Sequence, residues 1–264
     1  MALASGEYGD FEGPEWDRVV FAAYRELGTW SPALVALIAD LLGSAGGTFI
    51  DVGANLGLVT IPVAARTGAR CIAFEPEPRN LRWLEGNIAR HGSTERIELH
   101  GCALDAHEGA LELVLSSDNS GDHRLIEGRD LNHVAPGASV RVRAQRLDDV
   151  LRGRTLARPC VMKVDTQGAE ARVLRGARES LPQIDALIVE YYPYGLCRTG
   201  DSAEALQALL TEHFAFGTVL DQAGARPRLA PIAELFGALA WVATDGSDRG
   251  FFDLLLTREQ RRFG

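Results

Sequence analysis

Asp51, Gly53, Asn55 and Gly57 stand together in "TFIDVGANLGLVTIPVAA", a short apolar run followed by an acid, two glycines and a helical pattern. Glycines at a strand-to-helix turn let the backbone approach a ligand, and the helix start offers unpaired N–H donors. Glu75 closes the next strand-like run, "RCIAFE", where a carboxylate can accept hydrogen bonds from ribose hydroxyls. Two cofactors carry such a ribose, a nicotinamide dinucleotide and S-adenosylmethionine. Asp51 separates them, because a carboxylate at the turn repels a pyrophosphate but suits a cofactor bearing an ammonium and a sulfonium. The spacing D-V-G-A-N-L-G also departs from the dinucleotide pattern G-x-G-x-x-G.

A cofactor of that kind transfers its methyl group in line, which requires alignment of the reacting atoms, and an acceptor that loses a proton needs a place for it. Asp165 and Glu190 end the fourth and fifth strand-like runs, "CVMKVD" and "ALIVEYY", which are expected side by side. Paired carboxylates there can raise one pKa and make a base, or hold Mg²⁺. His123, in a polar loop, is a third candidate base. No trio of residues has metal-ligand spacing. The aromatic run "EYYPY", residues 190–194, is placed to face an acceptor or to pack behind the strand.

These residues need an alternating α/β frame. Strand-like runs at "TFIDV", "RCIAFE", "RIELHGCAL", "CVMKVD" and "ALIVEYY" are separated in several places by helical stretches, which implies a parallel sheet with right-handed crossovers. "FAFGTVLD" and "FFDLLLTRE" follow, and the closing strand is expected to be antiparallel. "GALELVLSS" and "ASVRVRAQRL" add a β insertion at about 108–146, around a polar loop from Asp118 to Gly137. Ahead of the first strand, residues 1–13 are expected as a loose tail. Two helices then follow, the first with Gly28 as its stop, the second with Ser31 as N-cap, Pro32 at its first position and Gly43 as its end. Residues 1–45 form this extension, a cap over the site or a dimer element, and 46–264 form the cofactor-binding domain. Trp16, Tyr24 and Trp30 are candidate lining residues of such a cap.

Composition narrows the class. The 264 residues allow one large α/β domain, and a net charge of -9 excludes a basic nucleic-acid surface. The longest apolar stretch, "ALVALIADLL", is too short to span a bilayer. No signal sequence is visible, and four scattered cysteines fit a reducing cytoplasm. Lys163 is the only lysine in the chain, a scarcity read as codon bias.

"FIDVGANLGLVTIPVA", "AFEPEP", "ALDAHEGALEL", "RLDDVL" and "VMKVDTQGAEARVLRGA" together resemble the FkbM family of class I S-adenosylmethionine-dependent methyltransferases, over roughly Thr48 to Pro193. The most diagnostic piece is similar to the signature K-[IV]-D-x-[EQ]-G-x-E-x-x-V-L-x-G-A, with Thr166 where a bulky aliphatic is usual. The resemblance implies a Rossmann-like, seven-stranded, mostly parallel sheet with an antiparallel last strand. It implies that Asp51, Gly53, Asn55 and Gly57 wrap the methionine part and that Glu75 binds ribose. Cys102, Ala103 and Leu104 are implied to lie along the adenine, and Asn119 matches the family's Asn-x-Gly loop, with Asp165 at the end of strand four. The expected activity is O-methylation of a small-molecule hydroxyl, of sugar or polyketide type, with S-adenosylmethionine as cofactor and Mg²⁺ as an option. A nicotinamide-dependent oxidoreductase and a non-catalytic S-adenosylmethionine-binding subunit are the alternatives. The expected partner is the small-molecule acceptor, with no nucleic acid or membrane, and homodimerisation through the extension as an option.

Overall fold

The computed structural model describes residues 2–44, 46–126, 138–221, 224–242 and 250–261. The chain begins with a hairpin, β1 (Ala2–Gly6) and β2 (Gly9–Gly13), then α1 (Val20–Leu27) and α2 (Pro32–Leu42). Alternation follows through β3 (Thr48–Val52), α3 (Thr60–Thr67), β4 (Arg70–Phe74), α4 (Pro78–Arg90) and β5 (Ile97–His100). β6 (Ala103–Leu104), β7 (Gly109–Val114), β8 (Arg124–Ile126) and β9 (Ser139–Gln145) come next. The frame resumes with α5 (Leu147–Val150), β10 (Cys160–Val164), α6 (Glu170–Arg175) and β11 (Ala186–Tyr191). The last elements are α7 (Pro193–Arg198), α8 (Ala203–His213), β12 (Phe216–Val219), β13 (Ala230–Pro231), α9 (Ile232–Ala238) and β14 (Phe252–Thr257).

The central sheet has the order β13-β12-β14-β11-β10-β3-β4-β5. β11, β10, β3, β4 and β5 run parallel, and β14 is antiparallel to both of its neighbours. The expected seven strands are therefore present, with the two-residue β13 added at one edge. Helices cover both faces, so β3, β10 and β11 are buried along their whole length and mostly apolar, with Asp51, Lys163 and Glu190 as their charged exceptions. One core cluster contains Ile50, Val52, Met162, Val189 and Leu254. The other contains Phe49, Val161, Ile188 and Leu255 with residues from the N-terminal extension.

Two sequence expectations change. Within the expected loose tail, residues 2–13 are instead a docked hairpin: Phe11 is buried against Tyr24, and Asn87 of α4 both donates to the Glu12 carbonyl and accepts from the Glu12 N–H. The run "RIELHGCAL" breaks in two at Gly101, where a Cβ would lie 2.6 Å from Leu81. Its first part, β5, is the edge strand of the main sheet beside β4; its second, β6, pairs with β9 in a separate sheet of order β6-β9-β7-β8. The expected β insertion corresponds to this second sheet. Residues 127–137 of its polar loop lie outside the described residues.

Both N-terminal helices end at the glycines expected, Gly28 at φ 69° and Gly43 at φ 67°. The first starts later than the pattern suggests, because Asp17 turns its carboxylate to the Val19 N–H and to Ser120 instead of extending the helix. Ser31 occupies the N-cap position of α2, but its side chain makes no capping bond. Cys71, Cys102 and Cys160 are buried free thiols, and burial pushes Cys71 and Cys160 up to about 12, so they pack as small apolar groups. Cys197 is exposed. Among the described residues no helix is long and apolar enough to cross a membrane.

Candidate active site

A cavity of about 1030 Å³ lies over the carboxyl ends of β3, β4, β10 and β11, where open parallel sheets bind ligands. Asp51, Gly53, Asn55, Glu75, Cys102, Ala103, Leu104, Asn119, His123, Asp165 and Glu190 all line it. Gly57 does not line it and acts through packing: at φ 85° its missing Cβ leaves room for Leu84, 2.6 Å from where that atom would stand. Gly53, also at φ 85°, sits so close to the Asp165 carbonyl that a Cβ would lie 2.0 Å from it. The turn after β3 is thereby locked to the end of β10.

Glu75 is buried, and each carboxylate oxygen takes one backbone N–H, Oε2 from Asn55 at 2.8 Å and Oε1 from Glu77 at 2.9 Å. A carboxylate has about four acceptor positions, so lone pairs remain on both oxygens. Burial raises this carboxyl to about 7, against the opposing effect of the two N–H bonds. Asn55 is held at φ 51°, and its buried Oδ1 has no partner among the described residues. An orphaned buried acceptor is costly and marks a place where a donor belongs.

The floor of the cavity is a charge cluster around one ammonium. Lys163 Nζ lies 3.3 Å from Asp51 Oδ1, 3.6 Å from Asp165 Oδ2 and 3.4 Å from the Gly53 carbonyl. Burial works against its charge, but Asp51 and then Asp165 reverse that and hold it above the usual lysine range. The other oxygen of Asp51 accepts from Thr60 at 2.6 Å, so Asp51 spends its hydrogen bonds on the protein's own groups. Gln167, at φ 56°, donates from Nε2 to Asp165 at 2.9 Å and reaches both Glu190 oxygens at 3.3 Å. Asp165 and Glu190 are thus brought together, bridged by an amide. Burial lifts the Glu190 carboxyl well above its usual range, reinforced by Asp165, Glu170 and Asp253. Asp253 of β14 faces Glu190 in register and also lines the cavity.

Glu170 serves the backbone. Its Oε1 accepts from the Thr166 N–H and hydroxyl and the Gly168 N–H, between 2.9 and 3.1 Å. Gly168 in turn touches Gly195 at the start of α7, where a Cβ would meet the Gly195 carbonyl at 2.3 Å.

His123 is presented by a loop gripped from two sides, Asn80 donating to the Ser120 carbonyl and Asp17 accepting from the Ser120 N–H and hydroxyl. Asn119 caps that turn by accepting from Gly121 N at 2.9 Å. His123 Nδ1 accepts from the Ser116 N–H at 3.0 Å, which places the proton of the neutral ring on Nε2. That nitrogen is buried without a partner among the described residues, and burial lowers the ring's pKa. In this tautomer His123 offers a donor, not a base.

The roof of the cavity comes from α1 and α2, through Val20, Ala23, Leu27, Trp30, Leu34 and Leu37. Of the aromatics expected there, Trp30 lines it, Trp16 stands beside His123, and Tyr24 is buried under the hairpin with its hydroxyl on the Gly9 carbonyl. Within "EYYPY", Tyr191 is buried, with its hydroxyl accepting from Gln207. Tyr192 packs against Tyr194 and Phe251. Among the described residues no group of three or more His, Cys, Asp or Glu is placed to hold a metal ion, so the Mg²⁺ option finds no ligand set.

Three of the residues that shape this floor, Lys163, Gln167 and Asp253, were not among the candidates from sequence. Lys163 carried a signal, as the one lysine among 27 basic residues and inside the diagnostic motif. Asp253 carried a weaker one, an acid within an apolar strand.

The methyltransferase FkbM domain model matches residues 51–215, the span that runs from Asp51 near the end of β3 through β4, β10 and β11 and stops before β14. The chain belongs to the FkbM methyltransferase family. It is 30% identical over 183 residues to methyltransferase 1 of Beauveria bassiana, covering 63% of this chain and 71% of that protein. It is 28% identical over 142 residues to the hexuronic acid methyltransferase AglP of Haloferax volcanii, covering 54% of each. It is 27% identical over 173 residues to the 31-O-demethyl-FK506 methyltransferase FkbM of Streptomyces tacrolimicus, covering 56% of this chain and 66% of that one. The chain therefore spans between about half and seven-tenths of these FkbM-type relatives.

Proposed function

We propose that this methyltransferase uses S-adenosylmethionine to methylate a hydroxyl oxygen of a small molecule. The observation that carries the reading is the charge of the cavity floor. On the floor, Asp165, Glu190 and Asp253 face the ligand space around Lys163, and Lys163 is already paired with Asp51. Such a surface attracts a sulfonium and an ammonium and repels a pyrophosphate. The donor set fits the cofactor: Glu75 has lone pairs for two ribose hydroxyls, and the orphaned Asn55 Oδ1 can accept from an ammonium. Cys102, Ala103 and Leu104 offer an apolar wall for adenine. When bound, S-adenosylmethionine supplies an activated methyl carbon; the protein binds, orients and provides for the acceptor proton.

The volume of about 1030 Å³ lies at the upper end of the roughly 300–1,000 Å³ range of small-molecule sites, enough for cofactor and acceptor together. Residues 1–45 act as the cover of the acceptor space and 46–264 as the catalytic body. The apolar roof favours an acceptor with an aliphatic scaffold of polyketide type over a bare sugar. The names of two relatives, one for hexuronic acid and one for a 31-O position on FK506, support a small-molecule acceptor. The test is incubation with S-adenosylmethionine deuterated in its methyl group and a panel of sugars and macrocyclic alcohols, read by mass spectrometry. Label on a hydroxyl oxygen supports the reading. Cofactor binding without transfer to any acceptor favours a non-catalytic subunit, and nicotinamide reduction overturns the proposal.

A further inference from the structure

Besides Asp51, which is taken up by Lys163 and Thr60, three carboxyl groups share the floor, and their surroundings sort them into different tasks. Asp165 is tied down, its Oδ1 accepting from Gln167 at 2.9 Å and its Oδ2 3.6 Å from Lys163. Both of its oxygens are thus already engaged by groups of the protein. Glu190 is buried, has Gln167 against both oxygens, and stands beside two other acids, which favours its protonated form. Asp253 is different. It stands opposite Glu190 in the antiparallel β11–β14 register, which puts the two side chains on one face. It lines the cavity, and among the described residues its carboxylate has no hydrogen bond or ion pair.

We propose that Asp253 is the group that accepts the acceptor's hydroxyl proton, an assignment that rests on the O-methyltransferase reading above. The acceptor O–H bond breaks, its proton goes to the Asp253 carboxylate, and the oxygen lone pair forms the new bond to the methyl carbon. The electron pair of the broken carbon–sulfur bond stays on sulfur. No other co-reactant is needed.

The electrostatics support this geometry. The charged groups around Asp253 are Lys163 and Asp165 from β10 and the turn after it, Glu190 from β11, and Asp221 and Arg226, which line the same cavity beyond β12. Burial, then Asp165, raises the Asp253 carboxyl to about 6, with Lys163 pulling the other way. A group there is ionised at neutral pH yet more basic than an ordinary aspartate, the compromise a general base requires. Glu190, whose carboxyl is shifted the same way by burial and by Asp165, stands beside it as a hydrogen-bonding neighbour.

The experiment compares wild type with Asp253→Asn and Asp253→Glu, using deuterated-methyl S-adenosylmethionine and cyclohexanol as the probe acceptor from pH 4.5 to about 9. Turnover of wild type is expected to rise through pH of about 6 and then level off. Asp253→Asn should lower it by roughly 10²–10⁴-fold and remove that rise, with S-adenosylmethionine held at saturation for each protein as judged by calorimetry. Asp253→Glu should recover part of the rate and restore the rise.

A readout independent of turnover is carbon-13 NMR of labelled aspartate side chains. One carboxyl signal is expected to titrate near 6 in wild type and to be missing in Asp253→Asn. The assignment is overturned if the Asp253 signal titrates in the ordinary aspartate range, or if Asp253→Asn turns over within about threefold of wild type. Wild type that fails to bind S-adenosylmethionine overturns the reading of the whole site, which separates the two failures.

Discussion

On the cavity floor, one buried ammonium is shared by Asp51 and Asp165 at 3.3 and 3.6 Å, with Glu190 and Asp253 close by. The N-terminal roof is attached by another kind of contact: Asp17 to Ser120, Glu12 to Asn87, and the Arg18 N–H to the Asp118 carbonyl. Each roof contact is a single hydrogen bond or a pair, spread over a surface packed with Phe11, Phe21 and Tyr24. Removing one member of the floor leaves unmatched buried charge; removing one member of the roof leaves most of its packing in place. The chemistry therefore rests on a rigid, mutually dependent set, and the acceptor space is bounded by a layer that can vary residue by residue.

Lys163→Met should break that contrast hardest. It leaves Asp51 fully buried without its cation, and breaking a buried pair costs about 3–5 kcal/mol. Urea denaturation of ligand-free protein should show a loss of this order, and a loss under about 1 kcal/mol would mean that the floor carboxylates are already neutral.

Asp17→Ala should act on the roof alone. It removes a carboxylate that accepts from the Val19 N–H and from both the N–H and the hydroxyl of Ser120. Hydrogen bonds to charged groups contribute about 1.5–3 kcal/mol, so stability should fall by about that much while cofactor affinity stays within about threefold. A large loss of cofactor affinity would show that roof and floor are coupled through the Asn119 loop.

Arg66→Ala gives the smallest expected effect. Its partner Glu7 is half exposed, and Arg66 itself is open to solvent at 2.5 Å from it. Such surface pairs contribute about 0–1 kcal/mol, so the same denaturation curve should barely move. A larger loss would mean that Arg66, which also lies 5.4 Å from the Tyr8 ring, holds the hairpin by stacking.

Floor and roof also differed in how far they could be read from sequence. Asp51, Glu75, Asp165 and Glu190 each end a strand-like run, so a local pattern places them on one edge of the sheet. The pairing of Asp51 with Lys163 joins residues 112 apart, and only the register of β3 against β10 brings them together. Asp253 was hidden for the same reason, since its place opposite Glu190 depends on an antiparallel register. The hairpin was missed because "ALASGEYGDFEG" has little strand propensity of its own. Docking of Phe11 and Tyr8 onto α1 and α4 overrides it. Gly101 split the third run for a packing reason that Leu81, twenty residues earlier, supplies.

The central claim is that the Glu75–Asn55 edge and the acid floor hold S-adenosylmethionine, and calorimetry tests it most directly. Wild type should bind S-adenosylmethionine and S-adenosylhomocysteine and show no heat with NADH. Glu75→Ala should weaken that binding by roughly 10- to 100-fold, the equivalent of one charged hydrogen bond of about 1.5–3 kcal/mol. Tight NADH binding with none for S-adenosylmethionine, or a Glu75→Ala affinity equal to wild type, would contradict the account.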